Sequence, residues 1–335
     1  MNVVRIESLS QAGVEPFAQL RDKELAARGL FVAESPNVIL RALENGFEPV
    51  SLFCEESFLS REAAAGSGAA SSEAARSSEA ARPSEVARLL SYFEDLPVYT
   101  ASAEVLSGIT GYPLTRGALC AFRRPAPRSA AEVVRTESVD PAASGAVSGI
   151  IPGQPSVAPV LSGAEGSSGS LVRRVAVVDA VVDAANVGTI FRGAAALGIG
   201  AVLLTPNCCD PLNRRTVRTS MGTVFQLPWG WLPDDSEGGR VGTGGCRVRS
   251  EGTVAALHRL GFRTAAMALR PDALPPDAPQ LAAEEHLAII LGNEGHGLPE
   301  STIADSDYVV CIPMARGVDS LNVAAAAAIA FWQLR

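Results

Sequence analysis

Three short stretches gather residue types that do chemistry. "DAANVGTIFR" (Asp183–Arg192) sets the amide of Asn186 and the guanidinium of Arg192 among small residues. "LGNEGHGLP" (Leu291–Pro299) places Asn293 and Glu294 between Gly292, Gly295 and Gly297. "IPMARGVDSLN" (Ile312–Asn322) ends on Ser320, Leu321 and Asn322. Glycine lets a backbone approach a ligand closely or take positive φ. A loop dense in main-chain donors and acceptors, fenced by Ile312, Met314 and Leu321, suits an adenine read through the backbone. None of the three is a GxGxxG fingerprint or a P-loop, which disfavours a Rossmann dinucleotide site or a nucleoside-triphosphate site. Taken singly, each is equally well plain turn chemistry.

The elements around these stretches put them in one place. Strand "VRRVAVVDAV" leads into the first, strand "LAIILG" into the second and strand "YVVCIP" into the third. Between them the chain alternates strand "GAVLLTP", helix "DPLNRRTVRTSMGTVF", strand "QLPWGWL", helix "TVAALHRLG" and strand "RTAAMAL", and it closes on helix "SLNVAAAAAIAFWQL". Short apolar strands separated by helices predict an α/β domain over 172–335, with a mostly parallel sheet covered on both faces. Ligands of such sheets sit beyond the carboxyl ends of the strands, where all three stretches fall. A Gly-rich stretch at about 234–251 reads as a loop insertion.

Residues 1–125 read as a separate small α/β domain, with strands at Leu30–Ala33, Val50–Cys54, Val98–Tyr99 and Ala118–Phe122. Ser35 is placed to cap the helix that Pro36 opens, and Glu34 before it reads as structural. The repeat "SSEAAR", "SSEAAR", "PSEVAR" marks a low-complexity insertion at about 59–88 that lacks the apolar content for a core. Residues 126–171, rich in Ser, Gly, Ala and Pro, read as a flexible linker.

Composition narrows the class. With 335 residues, 47% hydrophobic and 19% charged, the chain has the make-up of a soluble globular protein of two domains. No apolar run is long enough for a membrane span, and "MNVVRIESLSQ" lacks the pattern of a signal peptide, so a cytoplasmic protein is expected. Six cysteines without a CxxC pair predict thiols in a reducing compartment and no zinc site. The net charge of −8 argues against a whole-surface nucleic-acid binder but leaves room for a local basic patch. "NRRTVRTSMG" supplies one candidate: Arg214, Arg215 and Arg218 are phosphate contacts or a solvated helix face.

In this order, "NVGTIFRGAAALG", "ILGNEGHGLP" and "IPMARGVDSLNVAAAAAI" resemble the three signature motifs of the SpoU (TrmH-like) class of SPOUT methyltransferases. More weakly, "GLFVAESPNVILRAL" and "YPLTRGALCAF" resemble the ribosomal-protein-like RNA-binding domain that often precedes the catalytic one. The resemblance implies an S-adenosylmethionine-dependent transfer of a methyl group to a ribose 2′-hydroxyl in tRNA or rRNA. It also implies a deep trefoil knot that holds the cofactor, and a homodimer; no metal or membrane is called for. Carried onto this chain, it makes Arg192, Asn186, Glu294, Ser320 and Asn322 the catalytic group. Glu294 is expected to orient Arg192 or loop amides. Gly292, Asn293, Ile312, Met314 and Leu321 fall where the family binds the cofactor. The third motif departs from many relatives at Ala324, where they carry serine. A non-catalytic RNA-binding or assembly protein on the same fold, and a base methyltransferase, are the alternatives. The first has no chemical need to keep the polar set together, and the arginine of the first motif argues against the second.

Overall fold

The computed structural model describes residues 2–8, 11, 13–18, 22–59, 85–110, 117–136, 170–233, 252–318 and 320–335. Most of the repeat, most of the Ser-rich stretch and the Gly-rich insertion lie outside the described residues. The chain divides into two compact units, one of residues 1–125 with 212–222, the other of residues 126–211 with 223–335.

The first unit is built on a five-stranded mixed sheet of β1 (Asn2–Arg5), β2 (Leu30–Glu34), β3 (Pro49–Glu55), β4 (Pro97–Ala101) and β5 (Ala118–Arg123), in the order β1-β4-β3-β5-β2. Strand β1 leaves no signal in the sequence: it is four residues long and largely exposed, so no alternation marks it. Its partner β4 runs parallel to it. The helix Pro36–Glu44 buries Val38, Ile39, Ala42 and Leu43, the i, i+1, i+4, i+5 stripe of an amphipathic helix. Ser35 does not cap it. Its φ of 78° and ψ of 142° hold the hydroxyl away from the first turn, and no side-chain cap forms. The helix Glu85–Ser91 starts inside the stretch read as low-complexity, and Leu89 is fully buried. The degenerate third copy of the repeat therefore ends in folded structure.

The linker reading needs correction at both ends. Ala130–Val133 is a helix with a capping box between Ser129 and Glu132, and it buries Ala130 and Val133. Strand β6 (Arg135–Thr136) then pairs antiparallel with β7 (Ser170–Leu171). The S-x-x-E signature is readable, but it sits in an Ala/Ser/Pro-biased stretch that composition marks as linker.

The second unit carries a six-stranded sheet of β8 (Arg174–Val178), β9 (Ala201–Leu204), β10 (Trp229–Trp231), β11 (Arg263–Met267), β12 (Leu287–Leu291) and β13 (Tyr308–Val310), in the order β10-β9-β8-β12-β11-β13. All its pairs are parallel. In the central strands "RVAVV" and "LAIIL" every residue is buried, as a sheet covered on both faces requires. The helix expected across 210–225 is shorter, Arg214–Thr219, followed by a 3-10 turn at Thr223–Phe225. Met221 and Gly222, both at positive φ, stop it.

Candidate active site

The site is assembled at the carboxyl end of the second unit's sheet. After β8 the chain turns through Asp179–Val182 and enters the helix Ala184–Ala196. Asp183 caps that helix, its carboxylate accepting from the amides of Ala185 at 2.8 Å and Asn186 at 2.9 Å. Val187, Gly188, Ile190, Phe191 and Ala194 face the core. The helix packs on the C-terminal helix, Val323–Leu334, with Phe331 resting 3.8 Å from where a Cβ on Gly193 would stand. Small residues after Arg192 serve this close approach.

The C-terminal helix is fixed at both ends. At its start, the Asn322 side chain accepts from Ala324 N at 3.0 Å and Ala325 N at 3.4 Å. At its end, the Nε of buried Arg174 donates to the carbonyl of Leu334, while Nη1 donates to Glu284 O at 2.9 Å. Burial pulls the Arg174 pKa below its ordinary value.

Residues from the three motifs meet at one point. Asn186 Nδ2 donates to Glu294 Oε1 at 2.9 Å, and Asn322 Nδ2 donates to Asn186 Oδ1 at 3.0 Å. Glu294 therefore engages Asn186 and not Arg192. The reason is helical geometry: six residues turn about 600°, so the Asn186 and Arg192 side chains diverge by about 120°. Arg192 is exposed and has no hydrogen-bond or ion-pair partner among the described residues. Ser320 and Leu321 are exposed beside Asn322, and Ile312 and Met314 are half-buried.

The second motif is a closed loop. Asn293 exchanges both backbone hydrogen bonds with Gly297, at 3.2 and 3.0 Å. Its Oδ1 accepts from Gly295 N at 2.8 Å and His296 N at 3.2 Å, and its Nδ2 donates to Ala180 O at 2.7 Å. The Asn293 side chain is thus spent on holding the loop. A Cβ at Gly292 would stand 2.6 Å from Gly297 C, so that glycine admits the loop's own returning backbone.

Sequence reasoning missed Leu269, an apolar side chain 54% exposed just past β11, at the same end of the sheet as Leu321. An exposed leucine carries no signal in sequence. It also missed Thr205 after β9, whose hydroxyl donates to buried Asp179 at 3.1 Å. Burial raises the Asp179 carboxyl above its ordinary value, and the Thr205 bond opposes the rise.

The three arginines of "NRRTVRTSMG" belong to the first unit. Asn213 caps their helix, accepting from Arg215 N at 2.9 Å. Arg214 is mostly buried: its backbone N donates to Asp22 Oδ1 at 3.1 Å and its Nε lies 3.9 Å from Glu34 Oε2. It does not stand out as a phosphate contact; Arg215 and Arg218 are exposed. Glu34 is buried, in line with its structural reading. Among the described residues, no group of three His, Cys, Asp or Glu side chains gathers as a metal would need. Nor is any helix there long and apolar enough to cross a membrane.

Comparison with known proteins bears on this geometry. The sequence model described as the SpoU rRNA Methylase family matches residues 173–235 and 247–332. A protein of Mycobacterium bovis (strain ATCC BAA-935 / AF2122/97), described as an uncharacterized tRNA/rRNA methyltransferase, is 33% identical over 309 residues, which is 91% of this chain and 81% of that protein. A 23S rRNA (guanosine(2553)-2′-O)-methyltransferase of Bacillus subtilis (strain 168) is 32% identical over 163 residues, 49% of this chain and 58% of that one. Among solved structures, an AdoMet-bound rRNA methyltransferase from Sinorhizobium meliloti superposes with a TM-score of 0.68 at 19% identity, covering 99% of this chain and 97% of the other. The fold is shared with these enzymes.

Proposed function

The chain belongs to the SpoU rRNA methylase family, and from that premise we propose that it transfers a methyl group from S-adenosylmethionine to a ribose 2′-hydroxyl of tRNA or rRNA. One observation carries the reading. Asn186 bonds both Glu294 and Asn322, the three coming from three separate motifs, and Arg192 is left exposed, with no side-chain partner among the described residues. An arginine without a side-chain partner among the described residues, on the helix that carries Asn186, is available to a substrate anion.

The chemistry follows from that arrangement. A ribose hydroxyl is a weak nucleophile near neutral pH, and an arginine side chain is a poor proton acceptor. Arg192 instead stabilises the alkoxide as it develops and holds the adjacent phosphate, and the hydroxyl proton passes to solvent water at this exposed site. Asn186 and Ser320 position the ribose, and Glu294 and Asn322 hold Asn186 in its rotamer. When bound, the cofactor supplies an electrophilic methyl on a sulfonium. Backbone groups of the Gly292 loop, with Ile312, Met314, Leu321 and Leu269, would form the main-chain and apolar surface that holds the cofactor's nucleoside and the carbon chain beside its sulfonium. In-line placement of the hydroxyl supplies the rest of the rate.

Around this centre the remaining roles are assigned. Residues 1–125 bind RNA, with Arg215 and Arg218 on its phosphates, and residues 172–335 form the knotted transfer domain. Two chains pair through the C-terminal helix, which exposes Ile329 and Trp332. The enzyme works in the cytoplasm, in keeping with Cys54, Cys120, Cys208, Cys209 and Cys311, all present as thiols. The test is to map 2′-O-methylation across total RNA with and without the gene, and to assay Arg192→Ala. Loss of methylation at a defined position, and loss of transfer by Arg192→Ala with cofactor binding kept, are expected. No loss at any position would revive an RNA-binding role without transfer, and a fully active Arg192→Ala would remove Arg192 from the mechanism.

A further inference from the structure

Where β9, β8 and β12 end side by side, one residue takes a conformation that its side chain does not favour. Ala180, just past β8, has φ of 53°, the left-handed region that costs any residue with a Cβ. Its N–H and its C=O, in the two peptides that flank it, are each held by a side chain that follows a neighbouring strand. The Thr205 hydroxyl, after β9, accepts from Ala180 N at 2.9 Å, and the Asn293 amide, after β12, donates to Ala180 O at 2.7 Å. Thr205 is itself aimed, because its hydrogen goes to Asp179 Oδ1 at 3.1 Å. The ladders are extended one step on each side by Asp179 N donating to Leu291 O at 2.8 Å and Thr205 N to Val178 O at 3.0 Å.

What this stitch controls lies a few residues on. Ala180 sets the direction of Val181 and Val182 into Asp183, the cap of the helix that carries Asn186 and Arg192. Asn293 is bonded to Ala180 on one side and is followed by Glu294, the partner of Asn186, on the other. A single left-handed residue thus joins the first motif to the second, and the alternative conformations of an alanine would part them.

We propose that Thr205 and Asn293 are positioning residues for methyl transfer. They act through the Ala180 peptide to keep Asn186 and Arg192 in register with Glu294. The proposal rests on the functional reading above and adds a residue, Thr205, that lies outside all three motifs.

The experiment measures methyl transfer to RNA and cofactor binding by calorimetry on the full chain. Thr205→Val keeps the shape and removes the hydroxyl. We expect kcat to fall about tenfold, the equivalent of about 1.4 kcal/mol, with the Kd for S-adenosylmethionine unchanged within about twofold. Thr205→Ser restores the rate. Ala180→Gly in the Thr205→Val background also restores most of it, since glycine holds positive φ unaided; a Thr205 that only stabilised the fold would lower the melting temperature and leave kcat of the folded enzyme unchanged. Asn293→Asp keeps the acceptor for Gly295 and His296 but replaces the donor to Ala180 O, and it should lower kcat likewise. Should Thr205→Val fail to fold, Asn293→Asp decides alone. Wild-type kcat in the folded variants overturns the proposal, as does a failure of Ala180→Gly to rescue. A wild-type enzyme that transfers no methyl group overturns the functional reading instead, and the proposal with it.

Discussion

Replacing Asn186 with aspartate changes one atom and reverses one contact. In the native site Asn186 Nδ2 donates to Glu294 Oε1 at 2.9 Å. A hydrogen bond to a charged group contributes about 1.5–3 kcal/mol, and the substitution removes it. It also sets two carboxylates about 3 Å apart. Glu294 is exposed, so a water-like dielectric applies and the repulsion is about 1.4 kcal/mol. Rotation of either side chain relieves part of that sum. A net loss of about 3 kcal/mol in positioning remains, which is more than a hundredfold in the rate of transfer. Asn186→Ala loses the bond to Glu294 and the one accepted from Asn322 Nδ2, which aspartate keeps, but gains no repulsion, so the two variants suffer losses of similar size. The two variants differ in pH dependence. Protonating the introduced carboxyl remakes an O–H···O bond to Glu294, so Asn186→Asp recovers relative to Asn186→Ala as the pH is lowered. The assay is single-turnover methyl transfer at saturating cofactor, measured for both variants from mildly alkaline to mildly acidic buffer. Parallel profiles for the two would refute a working contact between Asn186 and Glu294.

Two further predictions concern stability. Ser35 holds φ 78° and ψ 142° without making a cap bond, in a region of cost about 1–3 kcal/mol for a residue with a Cβ. Ser35→Gly should therefore raise the melting temperature by a few degrees, about 1 kcal/mol after the entropy of glycine is charged against it, and an unchanged or lower value in a thermal scan would contradict this. Burial raises the Asp179 carboxyl above its ordinary 3.8, so the folded state binds that proton more readily than the unfolded chain. The wild type thus loses stability as pH rises from about 3.8 through the folded value. Asp179→Asn escapes that loss and should be the more stable protein at neutral pH, the gap closing on acidification; a gap that is constant with pH in denaturant titrations would count against it.

How much of this was legible in the sequence follows from what each feature depends on. Strands β8 and β12 were readable because near-continuous apolar runs, bounded by polar turns, admit few other structures in a chain of this composition. The three motif loops were readable as chemistry because their polar residues stand among Gly and Ala, with nothing else nearby to explain them. Which polar residue meets which was not readable. Asn186 and Glu294 are 108 positions apart, and only the order of strands brings them together. The burial of Arg214 has the same origin, since its neighbours Asp22 and Glu34 come from the far end of the chain. Thr205 was invisible for another reason: a threonine after a strand is commonplace, and its task depends on a positive φ at Ala180 that alanine does not advertise.

The site's reliance on asparagine follows from the same geometry. Asn186, Asn293 and Asn322 each use the oxygen as acceptor and the nitrogen as donor at once. Asn186 links Asn322 to Glu294. Asn293 closes its own loop and reaches Ala180. Asn322 caps the C-terminal helix and reaches Asn186. Aspartate lacks the donor, and glutamine, one methylene longer, does not fit the tight turn of amide oxygen onto the backbone two or three residues ahead. A neutral side chain that is donor and acceptor together can tie three loops with Glu294 as the one charge in the chain of contacts. Arg192, pointing away from that chain, has no side-chain partner among the described residues. On the proposed reading, a protein of net charge −8 that meets a phosphate backbone has reason to hold this site together with amides and to keep the Arg192 guanidinium for the substrate.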